Sequence, residues 1–286
     1  MKMKQMIVAV LCMFSIGGAA MAQSSNNTPM PDSAKGTILV VASSQARMEM
    51  KDKSQKDVGF YLNELAVPTE YLADHNYHIV LATPSGKKPL MDKGSNDKKF
   101  FNNDEAARSK AVQFVDNLPV ISLEEAVKQL DNYDALFVPG GHAPMTDLMQ
   151  DPQLGTALRD FHAKNKPTAF ICHGPVAALA ALPDAAAYRK ALVSDDFPAA
   201  KKAASNWIYQ GYHMTAFSDA EEWPGEVHSG VEMPFHVEQA LQIAGAHMHE
   251  APLYQSNVVR DREVVTGQNP ASDIALAQAL LSMLEK

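Results

Sequence analysis

Thr168-Ala169-Phe170-Ile171-Cys172-His173-Gly174-Pro175 passes from a short apolar stretch straight into a cysteine, a histidine and a Gly-Pro pair, and then into the small-residue run Val176–Ala181. An apolar run bounded by turn residues reads as a strand buried on both faces, and a run of small residues after a Gly-Pro reads as a helix start. A strand, sharp turn and helix in that order make a nucleophile elbow, which lifts its central side chain, here Cys172, out of the sheet. Backbone N–H groups left free at the helix start can lower a thiol pKa and bind an oxyanion. Gly174 permits the tight turn, and Pro175 suits the first helical position.

Working outward, strand patterns alternate with helical ones. Thr37–Ala42, His78–Ala82 and Ala135–Val138 are further apolar runs of strand length. Between them lie a helical period from Phe60 to Asp74, which Pro68 should interrupt or kink, and a capping-box pair, Ser122 with Glu125, that opens a helix through Leu130. A helix through Phe161 leads back to the Thr168 strand. Lys87–Ala106 is charged and rich in asparagine, and reads as a solvated excursion. Further on, the patterns predict a strand over Tyr212–Phe217, a helix over Pro234–Ala244, a hairpin turning at Asp261-Arg262, and a closing helix over Ala271–Leu284. Such alternation implies an α/β fold: a mostly parallel central sheet covered by helices on both faces, a three-layer sandwich.

The N-terminus carries Lys2 and Lys4, an apolar run Met6–Ile16 and the small-residue end Ala20-Met21-Ala22. This is the pattern of a secretory signal peptide cleaved after Ala22, and the apolar run is too short to span a bilayer. The expected organisation is a signal over 1–22, a polar flexible leader over 23–35 and one α/β domain over 36–286, in an exported, periplasmic protein. Of the two cysteines, Cys12 would leave with the signal, so Cys172 would remain a lone thiol with no internal disulfide. The formal charge of −8 argues against nucleic acid and anionic membrane surfaces as partners.

At the end of the preceding strand, Val138-Pro139-Gly140-Gly141-His142 offers a second set of backbone donors, provided the two strands are neighbours. That would make Gly141 an oxyanion-hole donor together with the His173 N–H. His173 itself, next to the thiol, is a candidate base. Two other histidine patterns carry less. His236-Val237-Glu238 has a His-x-acid spacing but falls within a helix, and His247-x-His249 lacks a third metal ligand. No metal and no cofactor are expected.

Ile171–Pro175, Pro139–His142 and the late Val265-Thr266-Gly267-Gln268-Asn269-Pro270-Ala271-Ser272 together resemble the DJ-1/PfpI superfamily (class I glutamine amidotransferase-like), and within it the Hsp31-like, glyoxalase III-like branch. The resemblance covers Thr37 to Leu284 and implies a flavodoxin-like fold. It maps a proton-shuttling glutamate, hydrogen-bonded to the cysteine sulfur, onto Glu64 in Gly59–Pro68. It also implies an acid that orients the histidine, at Glu222, with Asp219 and Glu221 near enough to compete. The implied reaction turns a 2-oxoaldehyde into a 2-hydroxy acid without glutathione, and a homodimer is the implied assembly. Val67, Ala143 and Thr146 depart from the branch pattern near the expected pocket. Two other readings of Cys172 stay open: a stress chaperone or redox-sensing binding protein, and a cysteine peptidase or amidase.

Overall fold

A computed structural model describes residues 33–286; the signal and most of the leader lie outside the described residues. The strands, in chain order, are β1 (Gly36–Val41), β2 (Arg47–Glu49), β3 (Gln55–Asp57), β4 (Tyr77–Thr83), β5 (Val120–Ser122), β6 (Ala135–Val138), β7 (Thr168–Ile171), β8 (His213–Met214), β9 (His247–Met248), β10 (Val258–Asp261) and β11 (Val264–Gly267). Seven of them form one sheet in the order β10-β11-β7-β6-β1-β4-β5. Its strands pair in parallel except at the β10–β11 edge hairpin.

Alternation along β1 shows why its run is apolar throughout. Ile38 and Val40 face one core with helices Leu62–Asp74, Glu105–Asn117 and Asp273–Leu284. Leu39 and Val41 face the other, with Pro152–Ala163, Ala185–Val193, Phe197–Ala203 and Val237–Ala244. A strand buried on both faces has no position at which a polar side chain reaches water. The result is the three-layer, doubly wound architecture.

Chain order reverses between β1 and β6, so these neighbours open a crevice at their carboxyl ends, where open α/β sheets take their ligands. The segments after β1, β6 and β7 all converge there.

Several local expectations are corrected. Helix Leu62–Asp74 runs unbroken through Pro68. Its apolar face, including Leu62, Leu65, Ala66 and Leu72, is fully buried, and Thr69 Oγ1 bonds back to the Leu65 carbonyl, so tertiary packing overrides the proline. The excursion Lys87–Ala106 is partly core. Phe101 is buried, Ser95 Oγ accepts from the Leu62 N–H, and a helix starts at Glu105 under an Asp104 cap, which the charged composition concealed. The Tyr212–Phe217 strand shrinks to the two residues of β8, paired with β9 in a separate ribbon. After the elbow the expected helix is present as a wholly buried 3₁₀ helix, Gly174–Ala181.

Leu39 lies at the centre of this packing and is fully buried. Leu39→Ala is expected to cost about 2–5 kcal/mol of stability in urea denaturation, whereas Val227→Ala, at a 63% exposed position, should stay within about 0.5 kcal/mol of wild type.

Candidate active site

Cys172 follows β7 with φ +60°, in the left-handed region that a side chain of its kind rarely adopts. Such strain costs on the order of 1–3 kcal/mol and persists only where neighbours enforce it. Here the Cys172 N–H donates to the Gly267 carbonyl at 2.9 Å, and its own carbonyl accepts from the Phe217 N–H at 2.8 Å. The backbone is thus clamped between β11 and the segment before helix Asp219–Ser229 while the thiol turns into the crevice.

The thiol contacts the next residue. Cys172 Sγ lies 3.2 Å from His173 Nδ1, and His173 Nε2 lies 2.7 Å from Glu222 Oε2. Glu222 projects from the first turn of helix Asp219–Ser229. Its other oxygen, Oε1, is 3.3 Å from His142 Nε2, and the His142 ring sits 4.3 Å from that of His173. Phe217 stacks on the His173 ring itself, with centroids 4.7 Å apart. Burial pushes the Glu222 pKa up, but the His173 and His142 imidazoles outweigh this and hold it well below the usual carboxylate range. Burial, reinforced by His173, pushes His142 down to about 4. Ionised Glu222 therefore serves two imidazoles.

Of the three acids near Ser218, only Glu222 reaches His173 among the described residues. Glu221 Oε2 closes the capping box on Ser218, and its Oε1 accepts from Asn269 Nδ2 and the Tyr254 N–H. Asp219 pairs with His236, which also contacts Glu226. His236 is the N-cap residue of helix Val237–Ala244.

Glu64 is fully buried in helix Leu62–Asp74. Neither of its oxygens has a hydrogen bond of good geometry among the described residues, although the Cys172 thiol and Gly140 N–H are close enough to favour its ionised form. Burial dominates and pushes its pKa up to about 8. Its nearness to the cysteine is fixed by what Gly140 lacks: a Cβ there would stand 2.4 Å from Glu64 Oε2 and 2.7 Å from Cys172 Cβ. Gly141, at φ +88°, is equally constrained, since a Cβ would meet the Gly59 carbonyl at 2.1 Å. The Gly141 N–H favours the Cys172 thiolate.

That favour is overruled. Burial, then the adjacent Glu64 carboxylate, push the Cys172 thiol well above its ordinary value. The expected depression by free N–H groups is thus reversed in the resting site, because the thiol is sealed beside a carboxyl group.

Cys172, His173 and Glu222 line a cavity of about 510 Å³ with Tyr61, Met233 and Tyr254. Lys56, from β3, lines it too; burial lowers its pKa, against the pull of Glu222. Sequence reading missed Lys56, Tyr61 and the role of position 142, although His142 was visible in the Pro-Gly-Gly-His motif. Ligand atoms of His142, His173 and Glu222 lie within 4.8 Å of one another, so this cluster can geometrically hold a metal ion. The same atoms already satisfy one another as hydrogen-bond partners. Val67 lies instead at a neighbouring cavity with Phe100 and Asp273, and Ala143 is buried in the core.

Comparison with known proteins places this geometry in context. The family model described as the DJ-1/PfpI family matches residues 58–186. The chain is 24% identical over 266 residues to the protein/nucleic acid deglycase HchA of Pseudomonas aeruginosa, covering 90% of this chain and 84% of that one. It is 26% identical over 263 residues to the glutathione-independent glyoxalase hsp3101 of Schizosaccharomyces pombe, covering 87% and 96%. The structure of Rapid Encystment Protein 24 KDa of Francisella tularensis superposes with a TM-score of 0.65 at 26% identity, over 87% of this chain and 99% of that one.

The Glu64 carboxyl offers a direct test with a defined sign. Its folded pKa of about 8 lies above the ordinary 4.5. Between these values the folded state holds a proton that the unfolded state has lost, so this group's contribution to stability declines as pH rises. Glu64→Gln removes the titration. Urea denaturation should therefore show the variant gaining on wild type as pH rises from about 5 to 8; an unchanging difference would contradict the assignment.

Proposed function

Because the chain belongs to the DJ-1/PfpI family, we propose that it is a cysteine-dependent enzyme of the glyoxalase and deglycase type, acting on small reactive carbonyls without glutathione. The observation that carries this reading is the placement of a thiol between two proton carriers. His173, backed by Glu222, lies on one side of it, and the buried Glu64 carboxyl on the other.

The proposed reaction begins when the Cys172 thiol gives its proton to His173 Nδ1 as sulfur bonds to the aldehyde carbon of a 2-oxoaldehyde. The ionised Glu222 stabilises the imidazolium that forms. The Gly141 and His173 N–H groups hold the developing oxyanion. Glu64, protonated at rest, gives its proton to that oxygen, and the carboxylate so formed moves a proton from the former aldehyde carbon to its neighbour through an enediol. His173 passes the thiol's proton to the neighbouring oxygen, and Glu64 regains its own proton as the C–OH becomes the carbonyl of a 2-hydroxy thioester. Water cleaves the thioester, releasing the 2-hydroxy acid and restoring the thiol. A carboxyl group with a pKa near 8 can both take and return a proton near neutral pH. No step calls on a cofactor.

The cavity of about 510 Å³ is roomy for a three-carbon substrate, and its lining of Met50, Tyr61, Val231 and Met233 favours apolar substituents on the carbonyl. The name of one relative includes nucleic acid as well as protein; the formal charge of −8 argues for the small carbonyl as partner here. Export through an N-terminal signal ending at Ala22 is part of the proposal, and osmotic-shock fractionation should find the protein in the periplasmic fraction with Gln23 as its first residue.

A binding role is the second reading, favoured by exposed Trp223 and Val227, four residues apart on one helix, and by exposed Leu253 and Tyr254 docked beside its start. Suppression of client aggregation that survives Cys172→Ala would support it.

Incubation of the purified protein with methylglyoxal and no glutathione should yield lactate. Cys172→Ser should abolish turnover, and Glu64→Gln and His173→Ala should each slow it by about 10²–10⁴-fold. Turnover indifferent to Cys172 or Glu64 would end this reading.

A further inference from the structure

The ribbon of β8 and β9 lies outside the proposed active site, yet it gathers three exposed histidines. Sequence spacing offers only His247-x-His249, a pair without a third partner. Parallel pairing supplies one: His213 stands in register with His247. Side chains two apart on a strand share a face, which puts His249 beside His247 on the same side. His213 is the hub. Its ring centroid is 5.2 Å from that of His247 and 4.8 Å from that of His249, and its Nδ1 is 2.5 Å from His249 Nε2.

The ribbon backbone holds this arrangement firmly. The His247 N–H donates to the Tyr212 carbonyl, the His249 N–H to the Met214 carbonyl, and the His213 N–H to Asp261 Oδ2. Asn257 Nδ2 also bonds to the His249 carbonyl. All three imidazoles remain exposed, so burial and packing do not explain their convergence.

We propose that His213, His247 and His249 form a surface site for a divalent transition ion that prefers imidazole ligands, of the Zn²⁺, Ni²⁺ or Cu²⁺ class. Two ring nitrogens facing each other at 2.5 Å share a single proton. A cation takes that proton's place when the gap opens to roughly 3.3 Å, which lets both nitrogens reach a tetrahedral zinc at about 2.0–2.1 Å. His247 completes a three-histidine set by a rotamer change, which exposed side chains make on the picosecond to nanosecond scale. Water fills the remaining position, as in open zinc sites. The hydrogen of the N–H between the rings moves to the other nitrogen of its own imidazole by tautomerisation, and no oxidation change is involved.

The His142, His173 and Glu222 cluster is a second candidate for any bound ion, so the test must separate the two. Untagged protein is titrated with zinc chloride by isothermal calorimetry, alongside His249→Gln, His247→Gln, the double variant His213→Gln/His249→Gln, and His173→Ala. The proposal expects one zinc equivalent in the micromolar range that weakens by about tenfold or more in either single ribbon variant, disappears in the double variant and survives in His173→Ala. Methylglyoxal turnover, where present, should be unchanged by the ribbon variants in metal-free buffer. Absence of zinc uptake by wild type, uptake that survives the double variant, or loss confined to His173→Ala overturns the site. Because the ribbon positions are exposed, an unchanged circular dichroism spectrum is expected for each of these variants.

Discussion

Glu64 is sealed in the core without a well-aligned hydrogen bond among the described residues, and a buried carboxyl in that state is tolerated at neutral pH by holding its proton. Much of the local architecture serves this placement. Gly140 must lack a side chain, because the space its Cβ would take is shared by the carboxylate and by Cys172. The helix carrying Glu64 continues through Pro68 instead of breaking there, and Glu64, in its first turn, meets Gly140 just past the carboxyl end of β6. Cys172 is held at positive φ so that its thiol, and not its backbone, meets the same point.

On the other side of the sulfur the electrostatics run the opposite way. Glu222 is nearly as buried, 7% exposed against 0% for Glu64, but is ionised, because two imidazoles meet its two oxygens. Two carboxyl groups near one cysteine are therefore set to different protonation states, one proton-bearing through burial and one charged through its imidazole partners. Environments that push paired titratable groups apart are a recurring means of dividing acid and base roles. His142 sharpens the contrast. It is driven towards its neutral form by burial and by His173, so it supports Glu222 through a hydrogen bond while adding little charge of its own.

The fold was legible because its signal is repetitive: runs such as Thr37–Ala42 and Thr168–Ile171 are apolar at every position, and double-sided burial leaves few other readings. The elbow was equally plain, since Cys172-His173-Gly174-Pro175 combines a nucleophile with turn chemistry. What composition concealed depends on contacts between distant segments. Helix Glu105–Asn117 hides within a charged stretch because its buried face needs only Ala111 and Val115. The direction of the thiol's pKa depends on Glu64, 108 positions earlier in the chain and visible as a neighbour only in three dimensions. The choice among Asp219, Glu221 and Glu222 likewise turns on helix geometry: the capping box claims Glu221, His236 claims Asp219, and the next position is left to face His173. The third histidine beside His247 and His249 comes from strand pairing that no local spacing announces.

The claim on which this account rests is that Glu64 carries a proton at neutral pH beside Cys172. Carbon-13 NMR of protein labelled at the glutamate side-chain carboxyl, with Glu64→Gln identifying the resonance, measures this directly. The account predicts a Glu64 carboxyl that titrates near 8, and that moves higher when Cys172→Ala removes the thiol that favours its ionised form. A Glu64 resonance that titrates near the ordinary 4.5 would contradict it.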